Sequence, residues 1–227
     1  RALKMAATLR KNGNKTPILI ELASGNYYQS DKSDLSDVSE LTIRGKNAHL
    51  IGGVLIKKWS AQADGTWTAP QPSAFCPVSL FGPNGRIKRS RVPETGWLNI
   101  ANTMEASPEF KGKGWDRFKF KPGDLNPAWQ NLNDIEVTTI HIWGMSRLRI
   151  KSIDAESQVL AFTGSTAYET NWAAFEKGGR YALENVRETL KPGQFYLNKE
   201  AKRVVYVPKP GEQSKDILLV YPTTDRL

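Results

Sequence analysis

The chain has 227 residues and a net charge of +9, with 39% hydrophobic and 24% charged residues. This balance is ordinary for a globular chain of one large domain or two small ones. Its apolar runs are too short for a membrane span, and a single cysteine, Cys76, excludes an internal disulfide. Because only His49 and His141 could add imidazole ligands, we expect no zinc site, and no motif indicates another metal or a cofactor.

The first sixty residues predict one short helix followed by short strands. Apolar and basic residues alternate with a helical period over Ala2–Arg10, and the apolar runs Thr16–Leu22 and Leu41–Arg44 are typical of strands. Ile43 lies 23 residues after Ile20 at the matching point of its run. Strands that repeat at about this spacing indicate a solenoid of stacked coils, although a pair of strands in an ordinary sheet explains the spacing equally well.

From Lys58 onward the chain is rich in Gly, Trp and short alternating segments, a texture typical of antiparallel β structure. The strands predicted here lie at 78–81, 117–120, 135–143, 148–153 and 159–162, followed by a hairpin over 195–207 whose loop is 198–202. A last apolar run, Ile217–Tyr221, resembles the first strands. We expect it to resume the solenoid, which would leave the solenoid unfinished in this chain.

Two clusters of positive charge stand out, and each has a structural and a functional interpretation. The first is Arg86, Lys88, Arg89 and Arg91; the second, Lys111, Lys113, Arg117, Lys119 and Lys121, is interleaved with Phe110, Trp115, Phe118 and Phe120. Such a mixture could bind nucleic acid or an acidic polysaccharide. The favoured interpretation is a strand with Phe118 and Phe120 turned inward and its cations in water. No nucleic-acid reader motif is present, so we expect no nucleic-acid partner.

The order of several segments is similar to that of a known enzyme family. GRYALENV, PGQFYL and HIWGMSRLRIKSID are the most specific of them, and the likeness runs from about Ala2 to Val220. It resembles the N-terminal part of secreted bacterial right-handed parallel β-helix proteins, in particular glycoside hydrolase family 141 and its relatives.

The resemblance implies a mainly β fold: the start of a right-handed parallel β-helix with an N-terminal capping helix, interrupted by an antiparallel β-rich insertion domain. Residues 1–57 would be the cap and first coils, 58–214 the insertion, and 215–227 the return to the β-helix. It also implies a secreted or periplasmic protein that acts on polysaccharide or oligosaccharide. The remaining coils would belong to a longer chain and would carry the catalytic carboxylates, so this chain alone is expected to be inactive.

No catalytic residue is assigned in this chain. Glycoside hydrolysis needs two carboxylates at a defined separation. The nearby pairs are Asp134 with Glu136, Asp154 with Glu156, and Glu184 with Glu188, and each is better explained as solvated acids or a local cap. A polysaccharide lyase would need a cation and a base. Arg86, Lys88 and Arg89 could supply the cation, but no base accompanies them.

Sugar binding by an aromatic ring is a more modest hypothesis, because a flat ring packs against the apolar face of a pyranose. The insertion contains Trp97, Trp115, Trp129, Trp143 and Trp172. Among them Trp143 stands in one motif with His141 and Arg147, and we predict these three as substrate-binding residues. The alternative is ordinary strand alternation with a hydrogen-bonded core histidine. The sequence thus favours part of a carbohydrate-active enzyme, with a non-catalytic carbohydrate-binding or structural β module, or a lyase, as the alternatives.

Overall fold

A computed structural model describes residues 1–31, 38–167 and 171–223. Within these residues the chain is mainly β, with one α-helix, as the sequence predicts. The helix is α1 (Ala2–Lys11), and three short 3-10 helices are Leu132–Asp134, Asn171–Ala173 and Arg187–Thr189. No helix of the described residues is long and apolar enough to cross a membrane.

The strands fall into two groups along the chain. Those of the first ninety residues are β1 (Ile18–Leu22), β2 (Gly25–Gln29), β3 (Leu41–Gly45), β4 (Ala48–Gly52), β5 (Val54–Leu55), β6 (Ser60–Ala61), β7 (Trp67–Pro70), β8 (Ser79–Gly82) and β9 (Gly85–Lys88). The later ones are β10 (Arg91–Val92), β11 (Leu98–Asn99), β12 (Arg117–Lys119), β13 (Glu136–Ile140), β14 (Met145–Asp154), β15 (Val159–Phe162), β16 (Arg180–Glu184), β17 (Phe195–Asn198), β18 (Arg203–Tyr206) and β19 (Val220–Tyr221).

The chain divides into two compact units. The first takes the described residues of 1–58, 71–86 and 217–227, and the second those of 59–70 and 87–216. The division into 1–57, 58–214 and 215–227 that the resemblance implies concerns domains of a native protein and stays a prediction.

The first unit contains both parallel and antiparallel strand pairs. Strand β1 pairs in parallel with β3, with Ile20 opposite Ile43, and β2 pairs in parallel with β4. A four-stranded sheet has the order β5-β19-β8-β9. In that sheet β19 runs antiparallel to both β5 and β8.

The predicted start of a right-handed parallel β-helix is wrong. Between strands of the described residues, parallel pairing is limited to two sheets of two strands each, beside one isolated parallel bridge between Arg89 and Phe195. Stacked coils need about three repeats to bury a continuous core. The strand expected to resume the coils, β19, instead pairs antiparallel with β5. Every larger sheet is built from antiparallel pairs. A 23-residue spacing sets the register of one strand pair, and it does not specify a stack.

The second unit is built on a seven-stranded antiparallel sheet with the order β10-β16-β13-β14-β15-β12, in which β11 also pairs with β16. Strand alternation places Val137 and Leu183 opposite each other on its inner face, both fully buried. An aromatic cluster fills the space beneath. Phe118 lies 5.1 Å from Phe175 and 5.0 Å from Tyr181 between ring centroids, in edge-to-face geometry that favours such pairs.

The same unit holds a four-stranded antiparallel sheet of order β17-β18-β7-β6, and its two faces differ in composition. On one face Phe195, Tyr206 and Trp67 are in register and buried. On the other, Tyr196, Val205 and Thr68 form a row across the three strands. The hairpin of β17 and β18 has the strands and turn that the sequence predicts. The row of Tyr196, Val205 and Thr68 forms the floor of the groove described below.

Candidate functional site

The predicted substrate-binding residue His141 follows β13 and points to the inner face of the hairpin that β13 forms with β14. Its Nδ1–H donates to the carbonyl oxygen of Ala174 at 3.1 Å, so Nε2 accepts from the hydroxyls of Ser146 at 2.9 Å and Thr139 at 3.1 Å. Burial lowers the pKa of His141, against the opposing effects of the Ala174 carbonyl and the Glu176 charge. His141 is therefore a neutral imidazole whose ring nitrogens both have protein partners.

Trp143 stands at the tip of this hairpin, where 84% of the residue is exposed. Its neighbours Ile142 and Met145 are also exposed, at 61% and 64%. The indole has a free face that could contact a sugar ring.

Arg147 points to the outer face of the hairpin. Thr139 and Ser146, which contact His141, are paired and face inward, and the next pair along the strands is Thr138 with Arg147. Because successive side chains of a strand point to opposite faces, Arg147 faces outward. Its Nη2 lies 3.5 Å from Oε2 of Glu184. The three residues of the motif therefore lie on the inner face, at the tip and on the outer face of one hairpin, and they do not converge on one point.

The outer face of the seven-stranded sheet carries what we term the charge network: Arg89, Arg147, Lys199, Glu136 and Glu184. Glu136 and Glu184 are directly opposite each other on β13 and β16. Nη2 of Arg89 donates to Oε2 of both, at 2.8 Å each, and Lys199 Nζ lies 3.2 Å from Oε1 of Glu136. Arg89 is only 3% exposed. The network thus joins two carboxylates through one buried guanidinium.

These contacts affect the ionisation of Glu136. Burial disfavours the charged form of Glu136, but the attraction of Arg89 and Lys199 outweighs burial and lowers the pKa of Glu136. A glycosidase acid needs the opposite, a carboxyl whose pKa is raised so that it holds a proton near neutral pH. The geometry brings two acids together, and it lowers the pKa of Glu136 where a glycosidase acid would need it raised.

The acid pairs that the sequence suggests have structural roles. Asp134 is buried and accepts a hydrogen bond of 2.5 Å from the Tyr196 hydroxyl. Asp154 closes the turn after β14 by accepting from Ser157 and from the backbone N–H of Glu156. Glu188 accepts from the backbone N–H of Gln130 at 2.9 Å.

The aromatic and basic clusters are also largely structural. Phe118 and Phe120 are buried while Lys119 and Lys121 are exposed, as the favoured interpretation of that cluster expects. Arg117 differs, because it is only partly exposed and pairs with Asp116. Trp115 and Trp129 pack against the core, and Trp97 lies beneath the guanidinium groups of Arg91 and Arg180. In the first cluster, Arg86 donates to the Ser79 hydroxyl and Arg89 belongs to the charge network. Among the described residues no group of three or more His, Cys, Asp or Glu could hold a metal ion.

A cavity that sequence reasoning missed lies on the outer face of the four-stranded sheet. We term it the sheet groove; its floor is the row of Thr68, Tyr196 and Val205, and its volume is about 600 Å³. This is within the range of about 300–1,000 Å³ that small-molecule sites occupy. Polar side chains of Gln62, Asp64, Asn198, Arg187 and Arg203 line its walls.

Arg187 contributes to the electrostatics of the sheet groove without dominating them. Burial, followed by the hydrogen bond to Asp134, raises the pKa of Tyr196 well above its ordinary value, and the charge of Arg187 acts against this rise. The hydrogen bond from the Thr66 side chain lowers the pKa of Asp64, and Arg187 adds to this effect. The charge of Arg187 therefore acts on Tyr196 in the floor of the groove and on Asp64 in its wall. The sequence predicts the hairpin itself, but neither FYLN nor RVVYV alternates polar with apolar residues, so nothing local marks the face that lines the groove.

No family model matches the chain, and no curated protein sequence matches it. A solved structure named "Glycoside hydrolase" is similar to it, with a TM-score of 0.64 and 18% sequence identity. The match covers 97% of this chain and 41% of that chain. The chain thus shares its fold with part of a glycoside hydrolase-named protein, and it spans about two-fifths of that protein's length.

Proposed function

We propose that this chain is a carbohydrate-binding part of a glycoside hydrolase-related protein, and that it binds glycan in the sheet groove. The observation that carries the proposal is the groove itself: a cavity of about 600 Å³, lined by both polar and apolar side chains, on an antiparallel sheet. Sugar hydroxyls need donors and acceptors held in place. Gln62 Nε2 already donates to Ser60 and Thr68 and Asn198 Oδ1 accepts from Ala201, so Gln62 Oε1 offers an acceptor and Asn198 Nδ2 a donor. The fold likeness to a glycoside hydrolase-named structure supports the same class.

The chain is proposed to bind without cleaving. Glu136 and Glu184 share the Arg89 guanidinium, and the charges of Arg89 and Lys199 lower the pKa of Glu136. Glu136 is then a poor candidate to protonate a leaving group. Membership of glycoside hydrolase family 141, a secreted or periplasmic location and a polysaccharide substrate belong to the same proposal, and they rest on the quoted motifs.

Trp143 is proposed as a second sugar contact, because its exposed indole can pack against a pyranose. His141 and Arg147, the other two predicted substrate-binding residues, would act there only by holding the hairpin. This follows from their existing contacts with Ser146 and Glu184.

Binding to a panel of immobilised neutral and acidic polysaccharides tests the proposal. Val205→Trp places a large ring at the centre of the groove floor, and we expect at least a tenfold loss of affinity. Lys119→Trp, at an exposed position of β12 outside the groove, is the matched control and should bind as the wild type does. If the Val205→Trp variant still binds polysaccharide as the wild type does, the sheet groove is not the binding site. Failure to bind any polysaccharide would leave a structural β module, and hydrolysis by the isolated chain would overturn the claim that it does not cleave.

A further inference from the structure

The two arginines of the sheet groove have a feature that neutral sugar binding does not require. Neither the Arg187 nor the Arg203 guanidinium makes a hydrogen bond or an ion pair with any of the described residues, although both line one cavity. In the same unit Arg89, Arg91 and Arg117 all have such partners. The guanidinium donors of Arg187 and Arg203 are therefore free to bind a ligand.

These two cations come from different walls of the groove. Arg203 begins β18 and stands opposite Asn198 in the sheet, whereas Arg187 begins the short helix Arg187–Thr189. A ligand in the groove would therefore meet positive charge from two directions.

The acid that lines the groove, Asp64, offsets only part of this charge, because it attracts Arg187 but carries a single negative charge. Oδ1 of Asp64 accepts from both the backbone N–H and the hydroxyl of Thr66, at 3.0 and 2.7 Å. This fixes Asp64 in the turn between β6 and β7. Arg187 and Arg203 carry two positive charges and Asp64 carries one negative charge, so the described residues that line the groove have an excess of positive charge.

We propose that the sheet groove selects acidic glycans, with the carboxylate of a hexuronate unit bound by Arg187 and Arg203. This inference rests on the proposed function. The planar guanidinium matches a carboxylate in bidentate geometry, and such charge-assisted hydrogen bonds are about twice as strong as neutral ones. The remaining polar groups of the groove, Gln62 and Asn198, would bind the ring hydroxyls.

Titration calorimetry with a galacturonate oligomer and its methyl ester isolates the carboxylate, because the ester keeps the sugar and removes the charge. We expect the acid to bind about tenfold more tightly than the ester, an effect that raised salt weakens. Arg187→Gln and Arg203→Gln should each remove most of this preference while binding of the ester is retained. Arg149→Gln, which removes an exposed arginine of β14 outside the groove, is the matched control and should keep the preference.

The outcomes separate this inference from the proposed function. Equal affinity for acid and ester, with binding still abolished by Val205→Trp, would overturn the acidic selectivity and leave the groove as a neutral sugar site. An equal effect of Arg149→Gln would mean that net charge alone attracts the acid, and it would also overturn the inference. A sulfated oligosaccharide that binds more tightly than the uronate would contradict the assignment to a carboxylate. Circular dichroism of each variant checks that the fold is retained.

Discussion

The charge network and the sheet groove lie in the same unit and both contain arginines, but the arginines differ in what surrounds them. In the network, Arg89 is buried and bridges two carboxylates. In the groove, Arg187 and Arg203 have no such partners among the described residues and line an open cavity. Clustered charge alone therefore does not identify a binding site. A cation whose charge is already neutralised by protein groups holds the fold together, and an unneutralised one in a cavity is available to a ligand.

The largest loss of stability is expected when the Arg89 guanidinium is removed. Arg89→Met leaves Glu136 and Glu184 facing each other without their shared cation, and loss of one partner of a buried ion pair costs about 3–5 kcal/mol. We expect a loss of that size in the free energy of unfolding, measured by urea denaturation. Lys121→Met, at an exposed position outside the charge network, should change it by less than about 0.5 kcal/mol.

A triple variant sharpens the same test. Nε and Nη1 of Arg89 are buried without a hydrogen-bond partner in the described part of the chain, so the network is not an ideal one. Arg89→Met combined with Glu136→Gln and Glu184→Gln removes the uncompensated charges as well. It should therefore recover part of the stability that Arg89→Met loses. If the triple variant is less stable than the single one, uncompensated charge is not the source of the loss.

The charge network also predicts that the free energy of unfolding depends on pH. Burial opposes ionisation of Glu136, but Arg89 and Lys199 lower its pKa below the value of 4.5 that an unperturbed glutamate has. A lowered pKa in the folded state contributes stability that is complete above pH 4.5 and is lost as the pH falls through the folded value. We expect the free energy of unfolding to fall on acidification below about pH 4.5, and to fall less in Glu136→Gln. Equal slopes in both proteins would show that other groups control the acid response.

Local structure could be predicted from the sequence where it depends on neighbouring residues. The alternation around Phe118 and Phe120 gave the correct inner face, and the hairpin of β17 and β18 was found from its own residues. Strand pairing could not be predicted in this way. The spacing of Ile20 and Ile43 indicated their register correctly, but nothing local specifies whether a third strand follows. Direction and order in a sheet depend on contacts between residues far apart in the chain.

The same reason explains why the acids and the groove were misjudged. Sequence reasoning paired Glu184 with Glu188, a near neighbour, whereas the fold places Glu184 opposite Glu136 across two strands. Residues directly opposite on neighbouring strands come within about 5 Å, closer than most residues that are near in sequence. Arg187 and Arg203 acquire their importance from a cavity, and a cavity forms only when separate segments meet.

The smallest expected effect concerns stability in the groove itself. Because Arg187 and Arg203 have no ion-pair or hydrogen-bond partner in the described residues and are exposed, Arg187→Gln and Arg203→Gln should each change the free energy of unfolding by less than about 0.5 kcal/mol. Repulsion between two cations at one cavity could even make the double variant slightly more stable than the wild type. Urea denaturation of both single variants and the double variant measures this. A loss above about 1 kcal/mol in either single variant would mean that the guanidinium supports the fold, as Arg89 does, and the distinction between the two regions would fail.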